Sequence, residues 1–168
     1  AVESLGKIGG DQAMMVLIGV LSSVTSSGEV RGQAARALGQ LKDARAIAPL
    51  VVALSDRGKP EVRRWAARSL GRIGGDSAVV SLIGALPNED DPTVRGWTVL
   101  ALARTGDARA TAPLVKALKD EDASVRAQAA SALGQLKDPA AQDALKEAAA
   151  DSDPKVKARA AAALKQLK

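Results

Sequence analysis

The sequence predicts an all-α, right-handed α-solenoid, a superhelix of about five and a half antiparallel helix pairs. Two spacings carry that prediction. A leucine recurs at Leu5, Leu38, Leu70, Leu102, Leu133 and Leu164, with separations of 33, 32, 32, 31 and 31 residues. A second leucine follows 12 residues after each of the first five, at Leu17, Leu50, Leu82, Leu114 and Leu145. A unit of this length cannot bury its apolar face alone, so a fixed period in this range signals stacked repeats that cover one another.

The elements follow in order. Residues 1–10 match the second half of a unit, and the repeats are expected at about 11–42, 43–74, 75–106, 107–137 and 138–168. Because the chain opens at Ala1 and midway through a unit, it reads as a piece of a longer protein. An uncovered half-helix with Ala1, Leu5 and Ile8 on one face is then expected to drive end-to-end association, since terminal units ordinarily cap such a face.

Within a unit the first helix has a stripe such as Val125, Ala129, Leu133 and Leu136, whose steps of three and four residues are those of one helix face. The same pattern predicts inner helices over 1–8, 28–41, 60–73, 92–105, 123–136 and 154–167. Asp91, Asp122 and Asp153 stand at the N-cap position, where a carboxylate accepts a bond from an unpaired N–H of the first turn. Ser27 fills that slot in an earlier copy, and Lys59 fills it in another, predicting one poorly capped helix.

Outer helices are expected near 12–21, 44–54, 77–86, 108–118 and 139–149, each after a turn whose aspartate is read as its cap. Pro49 and Pro113 fall inside two of them and predict a bend or a restarted helix. Gly19 and Gly84 share one outer-helix position and are expected to mark close helix contact.

Two strings carry a family likeness: DPTVRGWTVLALARTGDARATAPLVKAL over 91–118 and DASVRAQAASALGQLKDPAAQDALKEA over 122–148. They resemble the short HEAT-like repeat associated with phycobilisome bilin lyases, in register along essentially the whole chain. The resemblance implies a general binding scaffold of the kind used in bilin attachment, complex assembly and nucleic-acid contact. It also implies an internal Asp–Arg ladder. Here that ladder is assigned to Arg31, Arg63, Arg95 and Arg126, with the turn aspartates Asp43, Asp107 and Asp138.

Composition removes several functions. The chain has no cysteine, histidine, tyrosine or phenylalanine, which excludes disulfides, thiolate metal sites and a histidine general base. Neither a cofactor nor a metal is expected. The 24 basic and 19 acidic side chains are interspersed along the chain, a solvated surface with a mild basic bias. The longest apolar run, Ala13 to Leu21, spans nine residues, far short of the roughly 20 that cross a bilayer, so no membrane partner is expected. With no cysteine and no visible leader, a cytoplasmic setting is expected.

The informative positions are those that vary between units. Counted from the stripe valine, offsets of three, six and ten residues lie within about 60° of one another on a helix. They form a strip: Gln33, Arg36, Gln40; Trp65, Arg68, Arg72; Trp97, Leu100, Arg104; Gln128, Ser131, Gln135; Arg159, Ala162, Gln166, with Glu3 and Lys7 from the half-unit. Both tryptophans occupy one offset in adjacent repeats, and Trp and Arg are enriched at binding hot spots.

The candidate site is therefore Trp65, Arg68, Arg72, Trp97, Leu100 and Arg104, with Gln33, Arg36 and Gln128 around it, capturing a protein or peptide on the concave face. Nucleic-acid backbone binding through the same Arg/Trp patch is the alternative, and a bilin-lyase-type subunit the second. The fourth unit has Thr98, Val99, Leu100, Ala103 and Thr105 where others carry smaller or different residues, which predicts a locally altered junction beside Trp97. No catalytic constellation is present. Some HEAT-like proteins are DNA glycosylases with a concave aspartate, and this strip has none.

Overall fold

The computed structural model describes Val2, Ser4 and residues 10–167. The half-helix expected over 1–8, with Glu3, Lys7 and the apolar face of Ala1, Leu5 and Ile8, lies outside the described residues apart from Val2 and Ser4. Ten α-helices and no strand occur among the described residues. Five outer helices are α1 (Gly10–Ser22), α3 (Ile47–Leu54), α5 (Asp76–Ala85), α7 (Thr111–Ala117) and α9 (Gln142–Ala148). Five inner helices alternate with them: α2 (Gly28–Leu41), α4 (Pro60–Ile73), α6 (Pro92–Thr105), α8 (Ala123–Leu136) and α10 (Pro154–Gln166).

The ends of the inner helices follow from local chemistry. One oxygen of Asp91 accepts the N–H groups of Thr93 and Val94, and Asp122 and Asp153 do the same for Ser124 with Val125 and Lys155 with Val156. Ser27 accepts from Val30, and Lys59 offers no side-chain cap. At the other end Lys42 and Lys137 adopt left-handed backbone at φ of 54° and 55°, the helix-ending conformation that glycine takes more readily.

The restart expected from Pro49 and Pro113 is present, a third occurs over 139–149, and the outer elements correct the sequence reading at two other points. The elements expected over 44–54, 108–118 and 139–149 each begin as a 3₁₀ turn, capped by Asp43, Asp107 and Asp138 respectively, before restarting as α-helix at Ile47, Thr111 and Gln142. Pro49 and Pro113 therefore sit in a first α-helical turn, where a missing N–H is harmless. Asp76 is not a cap; it lies inside the first turn of α5, after the N-cap Gly75, as Asp11 lies inside α1. Gly19 and Gly84 do not mark close contact either, since a methyl group at either would meet open space.

Close contact occurs on the inner helices. A Cβ at Gly71 would come within 2.6 Å of Ala101 Cα, and one at Gly134 within 2.9 Å of Ala163 Cα. Gly39 would run into Ser69, whose hydroxyl donates 2.8 Å to the Ala35 carbonyl across the helix pair. In α6 the same position is Ala103, and α6 packs less extensively against α8 than the other inner helices pack against one another. Outer helices meet their outer neighbours only lightly. The inner helices thus pack against one another more closely than the outer helices do.

Both layers enclose one continuous core. The first leucines Leu38, Leu70, Leu102 and Leu133 and the second leucines Leu17, Leu50, Leu82, Leu114 and Leu145 are fully buried, while Leu164 on the last inner helix is half-buried. Because Gly19 and Gly84 face open space on helices, Gly19→Ala and Gly84→Ala should each stabilise the fold by about 1 kcal/mol. Thermal melts should rise by roughly 2–4 °C per substitution. Gly71→Ala should lower the melting temperature, and a rise there would contradict the inner-helix packing described above.

Candidate functional site: an arginine held between two tryptophans

The strip residues of α4 and α6 converge on one side chain. The guanidinium carbon of Arg68 lies 5.1 Å from the centre of the Trp65 ring and 4.9 Å from that of Trp97. Arg68 stands one turn after Trp65 on the same helix, and Trp97 occupies the matching offset on the next one. Arg36 and Arg64 also approach Trp65, at 5.4 and 5.5 Å. Each such contact attracts a cation to the electron-rich ring face by about 0.5–1 kcal/mol where solvent reaches it.

Trp65 is half-buried and lies down on α2: a methyl at Gly32 would come within 3.0 Å of its Cδ1. Its glycine neighbour thus fixes the ring. Trp97 is half-buried and lines a crevice of about 270 Å³ with Arg68, Leu100, Ala101, Arg104 and Gln135. That crevice sits where α6 and α8 pack loosely.

The charge around Arg68 is largely positive, with Glu61 paired to Arg64 at 3.7 Å. Burial holds the Arg68 guanidinium below its ordinary pKa, and the positive charges of Arg72, Arg104, Arg36 and Arg64 add to the effect. Among the described residues no carboxylate reaches salt-bridge distance of Arg68, Arg72 or Arg104. Of the remaining strip residues, Gln33 is exposed and donates to Glu29 at 3.4 Å. Gln128 folds down onto Gly96 of the preceding helix, with Oε1 buried and without a hydrogen-bond partner. Arg159 is exposed on α10, away from the cluster.

The four arginines expected in a ladder are used differently. Arg31 pairs with Asp56 at 2.6 Å, Arg63 with Glu89 at 2.7 Å, Arg95 with Asp120 at 2.8 Å and Arg126 with Asp151 at 2.8 Å. Each also donates to a main-chain carbonyl: Leu21, Asp56, Asp90 and Asp120 in that order. Arg63, Arg95 and Arg126 thus tie a loop of their own unit to the following unit, and Arg31 ties the last turn of α1 to the unit after its own.

The turn aspartates are not the acids of these pairs. Asp43 and Asp107 cap their 3₁₀ turns and pair with Arg45 and Arg109, which reach on to Asp11 and Asp76. Asp138 caps its turn and accepts from the Thr111 hydroxyl at 2.6 Å. They stand at the start of outer elements, whereas the arginines reach the loops before the next inner helix. Three of the true partners were legible in principle. Glu89, Asp120 and Asp151 each stand two residues before an N-cap aspartate, whose N–H they also accept.

With this geometry in view, comparison with known proteins places the chain. The model of HEAT repeats matches residues 16–103 and 81–165. The chain belongs to the HEAT-repeat family. No curated protein matches it. Among solved structures it is similar to the complex of CpcE and CpcF of phycocyanin lyase from Nostoc sp. PCC7120, at 24% identity and a TM-score of 0.67 over 95% of this chain and 66% of that one. It is similar to a designed armadillo repeat protein in complex with the peptide (KR)4, at 22% identity and 0.64 over 99% and 90%. Human deoxyhypusine hydroxylase in complex with glycerol matches at 20% and 0.57 over 99% and 77%. These likenesses show the fold, that of a HEAT-like helical solenoid. Among the described residues no three Asp or Glu side chains gather as a metal site would need, and no helix is long and apolar enough to cross a membrane.

Two outcomes are expected of the arginine–carboxylate pairs. Arg63 and Glu89 are 6% and 7% exposed, so Arg63→Ala strands a buried carboxylate and should cost about 3 kcal/mol in denaturant unfolding. Arg45→Ala, at a pair 59% exposed on the arginine side, should change stability far less, because solvent screens the pair. The second concerns pH. The hydrogen bond from Arg126 holds Asp151 at about 2, against an ordinary 3.8. The unfolded chain then takes up this proton first, so the stability Asp151 contributes is complete above about 4 and lost as pH falls through about 2. An acid titration followed by circular dichroism should show that loss in the native protein and a shallower one in Arg126→Met.

Proposed function

We propose that the chain is a non-catalytic binding scaffold that captures a protein or peptide on the concave inner-helix surface. Trp65, Arg68, Arg72, Trp97, Leu100 and Arg104 form the centre of contact, with Gln33, Arg36 and Gln128 around it. The observation that carries this reading is the guanidinium of Arg68 held between two half-buried tryptophan rings on adjacent helices. Such a cluster is rigid before a partner arrives, so little side-chain entropy is lost on binding.

Trp and Arg supply most of the energy at known interfaces, and their neighbours serve mainly to exclude water. Support also comes from the neighbours of the same fold, one solved with a peptide and another as a complex of two chains. Nucleic-acid backbone binding is the second reading, favoured by Arg68, Arg72 and Arg104, which no carboxylate reaches at salt-bridge distance among the described residues. It requires affinity to fall steeply with salt.

Selection from a random peptide library displayed on phage tests the first reading. Selected peptides should bind the native protein and lose binding to the Trp65→Ala/Trp97→Ala double variant, while the melting temperature falls by only a few degrees. No enrichment, or equal binding to the double variant, would count decisively against it.

A further inference from the structure

Resting on that reading, we infer that the partner of this site is an acidic peptide segment in which carboxylates flank an aliphatic side chain. The charge balance on the inner-helix strip comes first. From Gln33 to Gln166 the strip contains no carboxylate, and four of its five basic side chains, Arg36, Arg68, Arg72 and Arg104, lie on the consecutive inner helices α2, α4 and α6. Residues 57–106 hold eight basic and five acidic side chains. Two of those acids, Glu89 and Asp90, are already paired with Arg63 and Arg57 outside the strip.

The second observation is how the arginines are posed. The Arg68 guanidinium carbon lies 5.1 and 4.9 Å from the two ring centres, and a guanidinium beside aromatic rings keeps N–H donors that match a carboxylate in two parallel hydrogen bonds. Arg72 lies one turn further along α4, and Arg104 stands across the crevice on α6. Four like charges around Arg68 lower its pKa together with burial, and an incoming anion relieves that repulsion. The crevice between Arg68 and Arg104 has Trp97, Leu100 and Ala101 on its walls, apolar surface suited to one aliphatic side chain.

The same geometry disfavours a nucleic acid. Base stacking needs an open ring face, but three guanidiniums gather on Trp65 and the Arg68 guanidinium also covers Trp97. A phosphate track also needs basic groups to continue, and the strip positions of α8 hold the neutral Gln128, Ser131 and Gln135. Neighbouring helix axes lie about 8–10 Å apart, so the basic patch extends over a few residues of an extended peptide and not over a long backbone.

The test uses four fluorescein-labelled probes of equal length: a peptide with the core Glu-Glu-Leu-Glu-Glu, its Ser-for-Leu version, its Lys-for-Glu version, and oligothymidylate. Binding is read by anisotropy and by the protein's own fluorescence. The two tryptophans are its only aromatic residues, so quenching reports on this site directly. The Glu-Leu peptide should bind and quench. Arg68→Gln and Arg104→Gln should each weaken it about tenfold, the loss of one charge-assisted hydrogen-bonded contact. The Ser version should bind more weakly and the Lys version not at all.

Arg104 is exposed, so its variant keeps the test valid should Arg68→Gln fail to fold. Tighter binding of oligothymidylate than of the Glu-Leu peptide, binding of the Lys peptide, unchanged affinity in the folded arginine variants, or no binding of the Glu-Leu peptide would each overturn the inference. Should the phage selection succeed with neutral or basic peptides, the scaffold reading stands and the acidic specificity falls. Should the selection find nothing, the scaffold reading fails with it.

Discussion

The inner helices touch at their backbones, and the rest of the structure is arranged around that approach. Gly39 against Ser69, Gly71 against Ala101 and Gly134 against Ala163 leave no room for a further carbon atom. Dispersion falls off steeply with distance, so helices this close gain contact along their whole length without large side chains. That explains how a chain with two aromatic residues encloses a core of alanine, leucine and valine. The outer helices, by contrast, meet one another only lightly.

Charge pairing then holds each joint at one angle. Arg63, Arg95 and Arg126 each meet a carboxylate through two nitrogens and a carbonyl of their own loop through a third. A guanidinium has a planar fork, so a pair bonded in this way resists rotation as well as separation. These arginines are thus satisfied within the fold. Arg68 is not: its near neighbours are cations and aromatic rings. Two sets of arginines on the same helices serve opposite ends, one closing the stack and one facing out of it.

Several features could be read along the chain because they depend on near neighbours. The inner-helix bounds from Gly28 to Thr105 and from Ala123 to Leu136 coincide with the expected spans, since an N-cap aspartate and a three-four apolar stripe act within a few residues. The burial of both leucine series, Leu164 apart, followed from spacing alone. The ladder acids were missed for the opposite reason: Arg95 and Asp120 lie 25 residues apart in the chain, and Asp107 is closer in sequence but on the wrong side of the helix pair. Gly19 and Gly84 misled because a helix-interior glycine has the same appearance whether its missing Cβ faces a neighbour or open space.

Sequence alone determined the repeat, the pairing of helices, the capping of the inner helices and the offset shared by Trp65 and Trp97. All of these are periodic, and a period is visible in one dimension. Tertiary structure decided which acid each ladder arginine meets, that Arg68 stands between the two rings, and that a crevice opens beside Leu100 where Ala103 replaces the glycine of other units. Those outcomes depend on how far one helix slides and leans over the next. Helix separation is set by side chains about 31–33 residues apart, so it cannot be read from either helix by itself.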